Sequence, residues 1–269
     1  MWILAYMGGP SSPTYTWVSV GAQDASRCSQ SFLDEFVASA ASMGVDRVRI
    51  ADTVGIWNPL QTASIMHRLS QLCGPCSLEF HGHNDLGMAT ANALAALQSG
   101  ADSISATVTG VGERAGNAAL EQVAIAIRHS LAIECGIDCG ALQSLCEMVA
   151  QATRRPIPIN QPITGEAIFR HESGIHCHSL AKNSKSFEAF CASEVGRPPS
   201  EFVIGRHSGS EGVLQVLLRL GVHATRSTAT RMLPRIRHHA VLKKSALSDD
   251  ELMHIFRLTM RAECAGAVE

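Results

Sequence analysis

The chain has 269 residues, 22 Lys and Arg against 24 Asp and Glu, a formal charge of −2, and 46% hydrophobic residues. That balance excludes a disordered chain and shows no basic excess of the kind that nucleic acid or an anionic membrane would call for as a partner. No apolar run approaches the ~20 residues that cross a bilayer. The opening MWILAYMGG lacks the basic start of a secretory signal, and nine cysteines in no regular framework lead us to expect a reducing, cytoplasmic compartment.

Four short strand patterns recur, at 17–21 (WVSVG), 47–51 (RVRIA), 77–81 (SLEFH) and 103–109 (SISATVT). Each leads into a helical pattern, at 31–43, 59–72, 86–97 and 118–131; in the last, Leu120, Val123, Ala124, Ile127 and Leu131 recur at three and four spacing. A strand followed by a helix about every 30 residues predicts βα units on a parallel sheet, hence an α/β fold. Polar residues gather where strand gives way to helix: Gln23 and Asp24, Asp52 and Thr53, His81 to Asp85, and the GERAGN stretch ending at Asn117. In a TIM (β/α)8 barrel that rim is the catalytic face, and four strands are half of such a barrel.

After Cys135 the rhythm stops. A helical segment near 142–152 runs into RRPIPINQP at 154–162, whose three prolines predict extended chain and a domain boundary. Beyond it lie HESGIHCHS (171–179), GRHSG (205–209), helical stretches to about Leu220, and Ser248-Asp249-Asp250-Glu251, a capping box that opens a last helix. The expected organisation is an N-terminal segment (1–16), a half TIM barrel (17–134), a helical linker (135–162) and a mostly helical C-terminal region (163–269).

Within LEFHGHND, His81 and His83 are one residue apart on a strand, so both fall on one face and can converge on a metal ion; a solvated strand end is the plainer reading. Cys73-Gly-Pro-Cys76 has the spacing of a redox pair, but it follows a helix and enters a strand, the reverse of what that chemistry uses. GRHSG precedes a helix, where free N–H groups and a cation could hold an anion, and capping explains it nearly as well. The glycines of GVGERAGN are read as tight turns.

VSVGAQDASR (18–27), RVRIADTVGIWNP (47–59), HGHNDLGMATANALAAL (81–97), VTGVGERAGNAALE (108–121), HESGIH (171–176) and EVGRPPSEFVIGRHSG (194–209), in this order, resemble the homocitrate synthase and 2-isopropylmalate synthase family. The first motif is closest in character to the homocitrate synthases of nitrogen fixation. The resemblance implies a TIM barrel followed by a helical region, an intertwined homodimer, and an acyltransferase reaction. In that reaction acetyl-CoA loses a methyl proton, its enolate attacks the keto carbon of a 2-oxo acid, 2-oxoglutarate ahead of 2-oxoisovalerate, and the thioester is hydrolysed. It further implies a divalent metal (Mg2+, Mn2+ or Zn2+) held by His81 and His83 with Asn117 beside it, a 2-oxo acid carboxylate bound by Thr53, and His176 in proton transfer from the partner subunit. Asp52 is read as a turn residue, and His171 and His178 as surface or packing residues.

Three features depart from the family. Its D-G-E-Q motif, which supplies a carboxylate ligand and an arginine, has no counterpart in this sequence, so the expectation is a half barrel completed by an N-terminal half from a longer or separate chain. Gln23 stands in place of a glutamate, in a catalytic position, and Phe187 in place of a tyrosine. A catalytically silent or regulatory subunit, and an activity of the 2-isopropylmalate synthase type, are the alternatives.

Overall fold

The structure is a computed structural model that describes residues 16–172 and 188–266. His176, His178 and Phe187 lie outside the described residues. Two compact units divide the chain, Met1–Ile157 and Pro158–Glu269.

The first unit alternates strand and helix: β1 (Ser19–Ala22), α1 (Gln30–Ser42), β2 (Arg47–Asp52), α2 (Pro59–Ser70), β3 (Ser77–Gly82), α3 (Ala89–Gln98), β4 (Ser103–Ser105) and α4 (Leu120–Leu131). The strands pair in chain order, β1-β2-β3-β4, all parallel. Alternation sorts the side chains. Val48, Ile50, Leu78 and Phe80 are buried with Leu33, Val37, Met66, Leu69, Ala93 and Ala96 of the helices in one core. Arg47, Arg49, Glu79 and His81 occupy the alternate positions and so the other face of the sheet. Glu79 is nearly fully buried there, and Arg47 (2.6 Å) and Arg49 bond one carboxylate oxygen each. Without those two cations the buried charge would be costly.

Local chemistry sets the element ends. Asn58 accepts the Gln61 N–H at 2.9 Å while the Gln61 side chain accepts the Asn58 N–H at 3.1 Å, a reciprocal cap with Pro59 opening α2. The fourth strand, expected to reach 109, stops at Ser105. The chain turns at Val108–Gly110, with Thr109 in the left-handed region (φ 58°) and its N–H bonded to the Glu121 carboxylate at 2.9 Å. The third helix, expected from 86, begins at Ala89, because Asn84 first closes a turn to Gly87 and then accepts the Ala89 N–H at 3.1 Å. Helix α5 (Leu142–Thr153) buries Leu142 and Cys146 and packs on the 108–110 turn.

In the second unit β5 (Arg170–His171) pairs in parallel with β6 (Glu201–Phe202), and three helices follow: α6 (Ser210–Arg219), α7 (Arg226–Lys243) and α8 (Asp249–Gly266). Their core holds Ile204, Val213, Leu217, Met232, Ile236 and Leu252. The expected capping box is present, with the Glu251 carboxylate taking the Ser248 N–H at 2.7 Å and Ser248 Oγ taking the Glu251 N–H at 3.3 Å. Among the described residues no helix is long and apolar enough to cross a membrane.

Candidate functional site

The polar rim of the first unit is stitched together by backbone and side chain. After β1, the Asp24 N–H donates to Thr53 Oγ1 at 2.8 Å, tying the first loop to the second. After β2, the fully buried Asp52 carboxylate accepts the N–H groups of Ile56 (3.1 Å) and Trp57 (3.0 Å), and its carbonyl accepts that of His83 (3.3 Å). Asp52 is therefore the turn residue it was expected to be. After β3, Asn84 N donates to Gly116 O at 2.9 Å, and His83 forms an antiparallel bridge with Asn117. The loop after β4 thus lies against the loop after β3.

Glycines make that approach possible at two points. A Cβ on Gly116, at φ +86°, would fall 1.9 Å from the Gly110 carbonyl oxygen, and one on Gly55 would fall 2.8 Å from the His83 carbonyl oxygen.

His81, His83 and Asn117 are brought to one corner. The two imidazole centroids are 5.1 Å apart and nearly perpendicular. His81 Nδ1, His83 Nδ1 and Asn117 Oδ1 are all buried without a hydrogen-bond partner, while Asn117 Nδ2 donates to Val111 O at 3.2 Å. Burial, then the neighbouring His83 and Arg49, push the His81 imidazole below its usual range and favour its neutral form. Three orphaned lone-pair atoms in one corner fit a divalent cation in donor type. They are too few for a hard ion, and among the described residues no group of three or more His, Cys, Asp or Glu side chains could hold one. The acids close in sequence are committed elsewhere: Asp52 to its own loop, Glu79 to two arginines, and Asp85 to Arg114.

Thr53 is half-buried at the same rim and keeps its hydroxyl proton free to donate, since its oxygen accepts from Asp24. Gln23 is exposed and directly precedes Asp24 in the chain. His176, the expected proton-transfer residue, lies outside the described residues. Sequence reasoning missed Arg114, whose guanidinium joins two of these loops. Its one signal was its place between the two glycines of GERAGN. The Cys73 and Cys76 pair is buried, both thiols are free, and burial, with Cys76 and Asp102 adding to it, pushes the Cys73 thiol up to about 12. That environment suits packing and opposes thiolate chemistry.

The HMGL-like family pattern matches residues 10–149, and the pattern described as homocitrate synthase post-HMGL domain-like matches 163–244. A 2-isopropylmalate synthase 2 of Caldanaerobacter subterraneus is 41% identical over 89% of this chain and 62% of its own length. Homocitrate synthase 1 of Nostoc sp. is 40% identical over 90% and 63%, and a homocitrate synthase of Frankia alni 42% over 76% and 58%. The chain thus spans less than two thirds of these relatives. On the order of its motifs and the extent of these matches, the chain belongs to the HMGL-like family of TIM-barrel enzymes, in the branch that carries the homocitrate synthase post-HMGL region.

Proposed function

We propose that this chain carries the imidazole part of an acyltransferase site that condenses acetyl-CoA with a 2-oxo acid, 2-oxoglutarate first, to give homocitrate. The observation that carries the reading is the set of three buried, unpartnered atoms on His81, His83 and Asn117. A divalent ion held there would polarise the keto oxygen and anchor the adjacent carboxylate. His81, kept neutral by its surroundings, is in the protonation state that a ligand needs. Thr53 donates its hydroxyl to the 2-oxo acid carboxylate. Gln23 can orient substrate through its amide and carries no proton, so proton transfer at the acetyl methyl falls to His176 from a second copy of the chain.

The donor set supports a further proposal: a carboxylate from polypeptide outside the described residues completes the site. The sheet is consistent with this. Neither β1 nor β4 has a second neighbour among the described residues, and the face bearing Arg47, Arg49 and Glu79 is the one that would line a barrel interior once four more strands closed it. The compartment proposed is cytoplasmic, in keeping with seven cysteines outside any disulfide among the described residues, and the character of VSVGAQDASR favours a place in nitrogen fixation.

The test is release of free CoA from acetyl-CoA with Mg2+ or Mn2+, in parallel with 2-oxoglutarate and 2-oxoisovalerate. The chain is assayed alone and with an added polypeptide carrying the D-G-E-Q half of a relative. Turnover of 2-oxoglutarate that needs the added half and is lost in His81→Ala and His83→Ala supports the reading. Turnover of 2-oxoisovalerate instead replaces the substrate, and turnover by the unaided chain removes the need for a completing half. Silence in every arm overturns the acyltransferase assignment.

A further inference from the structure

We infer that the second unit carries an anion-binding cleft, separate from the imidazole corner, that takes a small molecule bearing two or more phosphate or carboxylate groups. The cleft has a volume of about 570 Å3 and is lined by Arg206, His207, Arg237, His238 and Val241. That is within the range of small-ligand sites. Among the described residues that line it two are arginines and two histidines, and none is a carboxylate.

The distribution of ion pairs singles out this spot. Helix α7 contains five Arg and Lys residues and no Asp or Glu. Its ends are neutralised, Arg226 by Glu211 at 3.0 Å and Lys243 by Glu251 at 2.6 Å. Arg206 and Arg237 meet no carboxylate among the described residues. Arg237 is nevertheless positioned, because its Nη2 donates to Ser208 O at 3.3 Å and leaves the other guanidinium N–H groups unspent. Two unspent guanidinium groups lining one cleft suit a ligand with two anionic ends, since each planar fork can grip one phosphate or carboxylate with paired bonds.

The loop backbone is not what holds the anion. Gly205 N donates to Ser208 Oγ at 2.9 Å, His207 N to Glu172 Oε1 at 2.7 Å, and Ser208 N to Gly205 O at 3.3 Å. The GRHSG loop is therefore a brace whose own N–H groups are largely used, and the attraction comes from the side chains it displays. Glu172 lines a neighbouring hollow with Arg206, His207 and Lys244, and its carboxylate accepts the His207 N–H.

The experiment is calorimetric titration of the full chain with pyrophosphate and, separately, with citrate, at constant ionic strength and without divalent ions. Sodium chloride is the control. One-to-one binding of pyrophosphate alone identifies a polyphosphate ligand, and of citrate alone a polycarboxylate. Arg206→Gln and Arg237→Gln should each weaken binding by about tenfold or more, as loss of a charge-assisted bond does. Arg257→Gln, which removes one charge from α8 outside the cleft, should leave it unchanged. If a glutamine variant fails to fold, Arg206→Lys keeps the charge, loses the fork, and should still bind more weakly than wild type. No heat beyond the chloride control, or equal binding by all variants, overturns the inference. Repeating the titration on His81→Ala separates its fate from that of the acyltransferase reading, since binding here should survive that change.

Discussion

Arg114 grips Asp85 through Nε at 2.8 Å and Nη2 at 3.1 Å, and the same Nη2 reaches the Thr53 carbonyl. One side chain from the loop after β4 thus clamps the loops after β2 and β3, two residues from His83. Its own backbone sits in the left-handed region, at φ 53°. The pairing with Arg114 also holds the Asp85 carboxyl below the usual carboxylate range. Because the clamp is solvent-exposed, its contribution to global stability should be small, and its effect should appear at the site. With the completing half added, Arg114→Ala should weaken Mn2+ binding by about 10- to 100-fold, as loss of an outer support does in metal sites, with the urea midpoint of the chain close to wild type. Arg114→Lys should recover little of it, because a point charge cannot make the bidentate contact. The loss of free-Mn2+ signal in electron paramagnetic resonance measures both; wild-type affinity in Arg114→Ala would mean that the clamp is idle.

The orphaned atoms of His81, His83 and Asn117 make a prediction about ligand removal. An ion that binds only the folded chain adds about 2.7 kcal/mol at a concentration 100 times its dissociation constant. With the completing half added, thermal unfolding followed with increasing Mn2+ or Mg2+ should therefore shift upward in the wild type, and EDTA should reverse the shift. In His81→Ala and His83→Ala the curve should be flat with metal. An upward shift that persists in both variants would place the cation elsewhere.

Much of this was legible in the sequence, because strand alternation and helix spacing are local. Three of the four strands lie within two residues of the expected ends, and the imidazoles of His81 and His83, the second just past the end of β3, lie 5.1 Å apart. What the sequence hid was set by approach between distant segments. Arg114 meets partners 29 and 61 residues away, so no window around GERAGN reveals them. The pairing of Arg47 and Arg49 with Glu79 is hidden for the same reason. Helix α7 escaped notice because Pro234 interrupts it and its apolar residues are few. Met232, Ile236 and Ala240 still recur every four residues on the buried side, and Pro234 stays exposed where its missing N–H does least harm.

Gly116→Ala tests whether the approach of the last loop is obligatory. A methyl group 1.9 Å from the Gly110 carbonyl cannot be accommodated without moving backbone, and φ +86° is already unfavourable for alanine. The variant should lose about 2–4 kcal/mol in urea unfolding, and the Asn117 side-chain amide resonances should shift. A variant as stable as wild type would show that the loop relaxes freely. Gly136→Ala is the control, since its Cβ meets nothing within 4 Å at a similarly positive φ of 72°.

The thiols offer a direct reading of burial. With its pKa near 12, Cys73 has almost no thiolate at neutral pH, and it is 3% exposed. Treatment of the native chain with a thiol-reactive disulfide at pH 8, followed by peptide mapping, should label exposed Cys191 quickly and leave Cys73 and Cys76 untouched until denaturant is added. Rapid formation of a Cys73–Cys76 disulfide would instead revive a redox role for the pair.

Glu251 should control the acid limb of stability in the second unit. Its carboxylate bonds Lys243 Nζ at 2.6 Å, the Ser248 N–H at 2.7 Å and His239 Nε2 at 3.2 Å, in that way joining the end of α7 to the start of α8. Those contacts, Lys243 foremost, hold its pKa at about 2, against an ordinary 4.5. A carboxylate whose folded pKa is depressed stabilises the fold fully above its unfolded value and loses that contribution as pH falls through the folded one. The stabilisation from Glu251 should therefore be complete at pH 6, decline below about 4.5, and be gone near 2. Glu251→Gln removes the charge at every pH, so its urea midpoint should lie below wild type at pH 6 and converge with it as the pH approaches 2. Parallel curves across that window would show that the Lys243 contact contributes nothing. The carboxyl carbon of Glu251, followed by NMR, should titrate well below the other exposed glutamates.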